Sequence, residues 1–234
     1  MPNVVELAEL ADAAYDRLVL VTVRARSGPA RLWTAHRIWD PALSGFTAVL
    51  YRSRHDPDQI LAFAGTDSLW DVLVDDVPIA VGGMPPQALA AIAVAVNVAS
   101  NHRQTYFTGH SLGGALAILA AAKTGQPAVT FNAPGVMDSC VATALHPLTG
   151  WSNMLQMMRR CVSSDRVPNL RIHGDPISSL LATGLQTGTT RPGYAAPQCG
   201  LNLLCRHKMQ TVLESVRGDP ANFESLANEL RQLQ

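Results

Sequence analysis

The sequence of 234 residues predicts an α/β fold, with a mostly parallel central sheet, helices on both faces and antiparallel strands at the N-terminal edge. Two observations predict it. Strand-like stretches between residues 18 and 64 follow one another with only turns between them. From residue 88 onward, short apolar strands alternate with helical segments, which is typical of parallel strands joined by crossover helices.

The N-terminal elements follow from periodicity. A first amphipathic helix of about three turns is predicted because apolar residues recur at helical spacing: Val4, Leu7, Leu10, Ala11, Ala14 and Tyr15. Strands are predicted at 18–24 and 31–39, separated by a Ser-Gly-Pro turn. Two more, at 46–52 and 59–64, are joined by a His-Asp-Pro-Asp turn that favours a hairpin.

The remaining elements alternate. Helices are predicted at 88–99, 112–123 and 207–216, with strands at 105–108, 128–132 and 170–173. Asp219 and Pro220 predict the start of a last helix, whose apolar face is formed by Phe223, Leu226, Leu230 and Leu233. No repeat or linker interrupts the chain, so a single domain over residues 1–234 is expected.

Composition limits the classes of partner. The 18 basic and 18 acidic residues cancel, which argues against nucleic-acid binding. No uncharged apolar stretch reaches the ~18–20 residues of a membrane span. Glu6, Glu9 and Asp12 interrupt what would be the apolar part of a secretory signal. We therefore expect a cytoplasmic protein, or one exported without a cleaved signal.

Four cysteines, Cys140, Cys161, Cys199 and Cys205, allow three pairings. Their spacing does not indicate a metal site, and no metal or organic cofactor is expected. In a reducing compartment they would remain thiols.

Residues 105–125 carry the strongest functional signal. They predict a strand, a turn with the sequence Gly109-His110-Ser111-Leu112-Gly113, and an alanine-rich helix. A Gly-x-Ser-x-Gly turn in this setting indicates a nucleophilic serine, exposed on a strained turn at the N-terminus of a helix. Glycine suits both flanking positions because a side chain there would collide with the neighbouring strand or helix. The N–H of Leu112 is a candidate donor to an oxyanion.

A nucleophilic serine requires an acid and a base. Asp175 ends the predicted strand 170–173, whereas Asp138 and Asp165 do not end a clear strand. His207 lies beyond a long loop, at the start of a predicted helix, and is the candidate base. The alternatives are His173, inside the strand, and His146, which precedes Asp175; His110 is expected to pack beneath the turn.

The second oxyanion donor is predicted at Thr66, directly after the apolar strand 59–64 and Gly65. Its main-chain N–H would meet that of Leu112 around the substrate oxygen. A threonine that only caps the following helix is the alternative, and it is compatible with the first role.

These segments together resemble the class 3 lipases, the fungal-lipase-like branch of the α/β-hydrolases, and their bacterial relatives. The resemblance covers most of residues 5–217, and its most specific mark is the Gly-Thr-Asp-Ser-Leu-x-Asp-x-Leu-x-Asp block at 65–75. It implies the nucleophile at Ser111, the oxyanion threonine at Thr66, the acid at Asp175 and the base at His207. Ala64 departs from the arginine that many members have before the glycine.

The resemblance also implies a lid after Thr66, formed by residues 69–77 and including Leu69, Trp70 and Leu73. A second apolar cluster lies on a predicted helix and contains Trp151, Met154, Leu155, Met157 and Met158. It is either a helix packed on the core or a flap over an acyl pocket, since methionine adapts to varied ligands. Residues 181–206 are predicted to form a long loop, and loops of this length in a compact domain are usually functional.

The sequence thus predicts a serine hydrolase of carboxylic esters, with acyl esters of glycerolipids as substrate and transient contact with a membrane surface. The alternatives within this class are an esterase of short soluble esters and an exported antibacterial phospholipase A1. Peptidases and thioesterases use the same residues. A catalytically silent hydrolase fold that only binds is the alternative from another class. No oligomeric state is predicted.

Overall fold

A computed structural model of the chain describes most of the predicted elements. The described residues are 2–24, 30–40, 46–54, 57–65, 87–136, 140–141, 144–145, 151–162, 167–180, 190–192, 197–200 and 202–218. Within them, eight strands form one sheet in sequence order: β1 (Leu20–Val23), β2 (Arg31–Trp39), β3 (Thr47–Ser53), β4 (Gln59–Ala64), β5 (Thr105–His110), β6 (Ala128–Phe131), β7 (Asn169–Arg171) and β8 (Thr190–Pro192).

The pairing of the strands changes from antiparallel to parallel at β4. Strands β1 to β4 are antiparallel to their neighbours, and β4 to β8 run parallel. The predicted mostly parallel sheet with an antiparallel N-terminal edge is therefore confirmed. Because β4 to β8 are parallel, their carboxyl ends lie at one edge of the sheet, where α/β folds place their ligands.

Helices cover both faces of the sheet. They are α1 (Val4–Ala13), α2 (Gln87–Ala99), α3 (Leu112–Thr124), α4 (Trp151–Val162), α5 (Pro176–Leu180), α6 (Leu203–His207) and α7 (Met209–Gly218). Helices α1 and α7 pack with the side chains of one sheet face around Trp33 and Tyr51. Helices α2, α3 and α4 pack on the other face around Phe63 and Phe107. Burial of these two apolar cores stabilises the fold.

One predicted helix differs from the structure. The segment 207–216 was expected to be a single helix beginning at His207, but α6 ends at His207 and α7 begins at Met209. Lys208 between them is extended, with φ −59° and ψ 139°. The apolar periodicity of Val212, Leu213 and Val216 is correct, but His207 belongs to the preceding helix. The predicted last helix, after Pro220, lies outside the described residues.

All four cysteines are paired within the described part of the chain. Cys140 is bonded to Cys161, and Cys199 to Cys205. The first bond joins α4 to the segment that follows β6, and the second joins Cys199 to Cys205, which lies within α6. Among the described helices, none has the length and apolar character needed to cross a bilayer.

Candidate active site

The Gly-x-Ser-x-Gly turn lies between β5, which ends at His110, and α3, which begins at Leu112. Ser111 has φ 55° and ψ −126°, a backbone conformation that an L-residue rarely adopts. A Cβ on Gly109 would lie 2.4 Å from the main chain of Gly113, and one on Gly113 would lie 2.1 Å from the carbonyl oxygen of Phe63 in β4. Both glycines are therefore required by close backbone approach, as the sequence predicts.

Three predicted residues come together at the carboxyl edge of the sheet. The hydroxyl of Ser111 lies 2.9 Å from Nε2 of His207, and Nδ1 of His207 lies 2.8 Å from Oδ1 of Asp175. Because a carboxylate only accepts, Nδ1 carries the proton and Nε2 accepts from the serine. All three side chains are buried. Residues 111, 175 and 207 thus form one continuous hydrogen-bonded chain.

Asp175 is held by the first turn of α5. Its Oδ2 accepts from the main-chain N–H of Ser178 at 2.9 Å and from the Ser178 hydroxyl at 2.5 Å. This is the N-cap arrangement, in which an aspartate satisfies N–H groups at the start of a helix. The contacts occupy Oδ2 and leave Oδ1 facing His207. Sequence reasoning missed Ser178; a serine three residues after an aspartate at a helix start is the signal for it.

Among the other candidate acids and bases, His173 lies in the described part of the chain. His173 precedes Asp175 by two residues, but its side chain is exposed. Asp138, Asp165 and His146 lie outside the described residues.

His110 packs beneath the turn, as predicted, and lies against His207. The two imidazole centroids are 4.7 Å apart. The hydroxyl of Tyr15, from the end of the α1 segment, lies 3.1 Å from His110 Nδ1 and 3.2 Å from its carbonyl oxygen. Burial, and after it the neighbouring His207, lower the pKa of His110 to about 3. The buried imidazole beside the serine is therefore neutral at physiological pH.

The predicted oxyanion donors are only partly described. Leu112 is the first residue of α3, so its N–H belongs to the unsatisfied first turn of a helix. Thr66 lies outside the described residues, as do Leu69, Trp70, Leu73 and the rest of the lid predicted at 69–77. Gly65 directly before Thr66 is described, and a Cβ there would lie 3.3 Å from the carbonyl oxygen of His110. The chain therefore leaves β4 beside the serine turn.

The residues of the predicted apolar cluster at 151–158 differ in burial. Helix α4 is present over Trp151–Val162, and Met157 is buried among the side chains of α2 and α3 in the core. The burial of Met157 agrees with the packed-helix alternative, and its contact with an acyl chain stays a prediction. Leu155 is exposed and Met154 is half-buried. Contact of Met154 with an acyl chain stays a prediction.

No cluster of three or more His, Cys, Asp or Glu side chains in the described part of the chain has the arrangement of a metal site. The described part of the site contains the carboxylate of Asp175 and the N-terminus of α3, which favours negative charge. A serine hydrogen-bonded to an imidazole, which is itself hydrogen-bonded to a buried carboxylate, can perform nucleophilic attack with general base assistance.

The family is shown by a match over nearly the whole chain. The family model described as phospholipase-like, the Tle-like phospholipase domain, matches residues 6–216. The chain belongs to the Tle-like phospholipase domain family. These bounds agree with the resemblance predicted for residues 5–217, and they include the serine turn, Asp175 and His207.

Two curated proteins match parts of this Tle-like domain. The extracellular phospholipase A1 of Serratia liquefaciens is 44% identical over 96 residues, which are 41% of this chain and 29% of that phospholipase. ATG15 of Eremothecium gossypii is 31% identical over 130 residues, which are 49% of this chain and 22% of that protein. The matched segments therefore span less than a third of either relative.

Solved structures of lipases share the fold. The crystal structure of a fungal lipase superposes with a TM-score of 0.50 at 15% identity, covering 81% of this chain and 76% of the lipase. At this identity the likeness shows the fold alone. With the family match, it confirms the resemblance to class 3 lipases and places the Tle-like domain among the α/β-hydrolases.

Proposed function

We propose that the protein is a serine hydrolase that cleaves acyl esters of glycerolipids, with phospholipids as the main substrate. The observation that carries this proposal is the chain of hydrogen bonds from Ser111 through His207 to Asp175, at 2.9 and 2.8 Å. The backbone conformation of Ser111 at the N-terminus of α3 supports the same assignment. No metal or cofactor takes part in the proposed reaction.

The proposed reaction uses the three hydrogen-bonded side chains and the two predicted oxyanion donors. Nε2 of His207 takes the hydroxyl proton of Ser111 while Oγ attacks the ester carbonyl, and Asp175 stabilises the imidazolium that forms. The N–H groups of Leu112 and Thr66 bind the oxyanion. The imidazolium then protonates the leaving alkoxide, which departs as an alcohol. A water molecule, deprotonated by His207, hydrolyses the acyl-enzyme and releases the fatty acid.

The choice of phospholipid rests on the family and on the relative from Serratia, whose name describes an extracellular phospholipase A1. Transient contact of the lid residues Leu69, Trp70 and Leu73 with a membrane surface is part of this proposal. An exported antibacterial phospholipase A1 is the same chemistry with a bacterial membrane as target. Esterase action on short soluble esters is the outcome that the experiments below separate from it.

The site is tested by substitution of the nucleophile. Ser111→Ala should lower hydrolysis of nitrophenyl esters by about 10⁴–10⁶-fold while the protein remains folded, because a small hydroxyl is removed and little packing is lost. A fluorophosphonate probe should label the wild type at Ser111. If the alanine variant kept more than about a hundredth of the activity, the nucleophile would be wrong. A wild type that is neither labelled nor active would be a silent hydrolase fold.

The substrate is tested with a series of esters and lipids. Acyl chains from C2 to C16 should be hydrolysed with rising kcat/KM until the pocket is full, because each buried CH₂ contributes up to about 0.8 kcal/mol. Mixed micelles of phospholipid should be hydrolysed faster than triglyceride. If acetate is the best substrate, the glycerolipid proposal fails and a short-ester esterase is established instead.

We further propose that the protein acts in an oxidising compartment outside the reducing cytosol. Paired cysteines persist in such compartments, and all four cysteines of the described chain are paired. The relative from Serratia is described as extracellular. Thiol labelling of the unfolded, unreduced protein, taken directly from its native source, should detect no free cysteine. Four reactive thiols in the native source would contradict this proposal.

A further inference from the structure

The main chain of His207 is held by two side chains from the ends of neighbouring strands. Nε2 of His110, the last residue of β5, lies 2.7 Å from the carbonyl oxygen of His207. Nδ2 of Asn132, the residue after β6, lies 3.4 Å from the same oxygen and 3.2 Å from the carbonyl oxygen of Arg206. The residue proposed as the base thus has its backbone attached to the strands that flank Ser111.

A carbonyl oxygen only accepts, so Nε2 of His110 must carry a proton. A neutral imidazole has one N–H, and its Nδ1 must then accept, which the Tyr15 hydroxyl at 3.1 Å allows. The carbonyl oxygen of His207 therefore selects the tautomer of His110, and the Tyr15 hydroxyl lies within reach of both Nδ1 and the carbonyl oxygen of His110, at 3.1 and 3.2 Å. The buried ring is kept neutral, and this matters because a cation with its centroid 4.7 Å from His207 would oppose formation of the imidazolium.

Asn132 joins the two loops that carry the acid and the base. Its Oδ1 accepts from the main-chain N–H of Ile172 at 2.8 Å, in the segment that leads to Asp175. Its Nδ2 donates to the segment that ends at His207. The side chain is completely buried, and the residue has φ 47°, a left-handed conformation that asparagine adopts more readily than most residues. One amide therefore fixes the spacing between the two loops.

We propose that His110 and Asn132 are positioning residues, which fix the main chain of His207 so that its ring keeps its bonds to Ser111 and Asp175. This inference rests on the function proposed above. Their loss should displace the imidazole without removing any reacting group. The effect should therefore fall on kcat and on the reactivity of Ser111, and KM should change little, since neither residue is needed to bind the ester.

Three variants test the proposal. His110→Phe keeps an aromatic ring but removes the donor, whereas His110→Gln retains an amide donor close to the position of Nε2. Asn132→Gly removes the amide while glycine accepts the positive φ without strain. The matched control is Gln59→Leu, because Gln59 is also completely buried and donates to Val98, Asn101 and Thr105 at the opposite end of the strands.

Each variant is assayed for kcat and KM with nitrophenyl butyrate, for the rate of Ser111 labelling by a fluorophosphonate, and for Tm. We expect His110→Phe and Asn132→Gly to lower kcat and labelling together by about 10- to 100-fold, the cost of a small misplacement of a reacting group. His110→Gln should recover most of the loss. Gln59→Leu should lower Tm and leave kcat within about twofold when assayed well below its Tm.

The proposal is overturned if folded His110→Phe and Asn132→Gly keep kcat and labelling within about twofold of the wild type. It is also overturned if His110→Gln and His110→Phe lose activity equally, because the hydrogen-bond donor would then be irrelevant. Should His110→Phe fail to fold, Asn132→Gly alone decides. If Ser111→Ala retains wild-type activity, the proposed function itself has failed. That failure differs from failure of the positioning proposal, which is judged from the rate of Ser111 labelling in the His110 and Asn132 variants.

Discussion

Single residues determine how well the candidate triad is held. Asp175 accepts two hydrogen bonds from Ser178 at Oδ2 and one from His207 at Oδ1. The two contacts with Ser178 keep the carboxylate from rotating, so it presents one oxygen to the imidazole. The role of Asp175 in orienting His207 can therefore be separated from the role of Ser178 in orienting Asp175.

Substitutions at Asp175 and Ser178 should lower kcat by different amounts. Asp175→Asn should lower kcat by about 10⁴-fold, because the amide favours the wrong imidazole tautomer. Ser178→Ala removes the hydroxyl but keeps the main-chain N–H, so a loss of about 10-fold or less is expected, in line with one hydrogen bond of about 1 kcal/mol. Steady-state kinetics on a nitrophenyl ester checks both. His173→Ala is the control for a nearby exposed histidine, and a crippling effect there would reassign the base.

The low pKa of His110 predicts how stability depends on pH. The folded state leaves His110 unprotonated down to about pH 3, whereas the unfolded state takes up the proton near the ordinary histidine pKa of 6.5. The unfolded state therefore binds more protons between these values, and the free energy of unfolding falls as pH is lowered. Between pH 8 and 5 the contribution is about 2 kcal/mol.

Removal of the histidine should reduce this pH dependence. Urea unfolding of wild type and His110→Gln at pH 8 and pH 5 should show a drop in the free energy of unfolding that is about 2 kcal/mol smaller in the variant. The difference between the two proteins isolates His110 from the other titrating groups. Equal drops would mean that the imidazole is protonated in the folded state.

The sequence predicted the residues of the site that have a local signal. Ser111 lies in a recognisable turn, and Asp175 and His207 follow it in the chain order of α/β-hydrolases. Asn132 could not be found in this way, because its partners are 40 and 75 residues away. Its only local signals are its place after a buried strand and the tolerance of asparagine for positive φ.

At the scale of secondary structure, the turn between β5 and α3 depends on close backbone contacts. Gly113 lies against β4, where an added Cβ would be 2.1 Å from the carbonyl oxygen of Phe63. The strand bounds of β2 and β4 were predicted correctly because their apolar patterns end at turn residues. The boundary between α6 and α7 was not predicted, because the apolar periodicity shows no break at Lys208. The break is set by the contacts of His207.

Gly113→Ala should therefore destabilise the protein strongly. The methyl group must displace β4 from α3, and such overpacking costs about 1–3 kcal/mol or more where backbone atoms are involved. The measurement is the free energy of unfolding in urea. Gly218→Ala is the control: no atom lies within 4 Å of a Cβ at that position in the described structure, so its stability should change by no more than about 1 kcal/mol. Similar losses for both would exclude the packing explanation.

At the scale of the whole molecule, the sheet separates two apolar cores. The candidate site lies at the edge of the sheet where the parallel strands have their carboxyl ends. Helix α3 is buried over most of its length, so its sequence is continuously apolar and has no amphipathic pattern. Its prediction therefore depended on the serine turn before it and on Gly125 at its end. The fold was predictable because strands and helices alternate in the sequence. The pairing of the cysteines was not, because three pairings fit the spacing equally.

The two disulfides should differ in what their removal affects. The bond from Cys140 to Cys161 closes 21 residues, and chain entropy predicts a loss of about 3 kcal/mol in the Cys140→Ala/Cys161→Ala variant. This bond is buried in the core around Met157, so kcat at 25 °C should be unchanged.

The bond from Cys199 to Cys205 closes only six residues, with an expected loss of about 2 kcal/mol, but Cys205 is two residues before His207. Removing it frees the segment that orients the imidazole, so Cys199→Ala/Cys205→Ala should lower kcat by about 10-fold or more. Its loss of stability should be smaller than that of Cys140→Ala/Cys161→Ala. Urea unfolding and ester kinetics on both double variants check this separation. If both lose activity in proportion to stability, the second disulfide acts only through folding and has no part in holding His207.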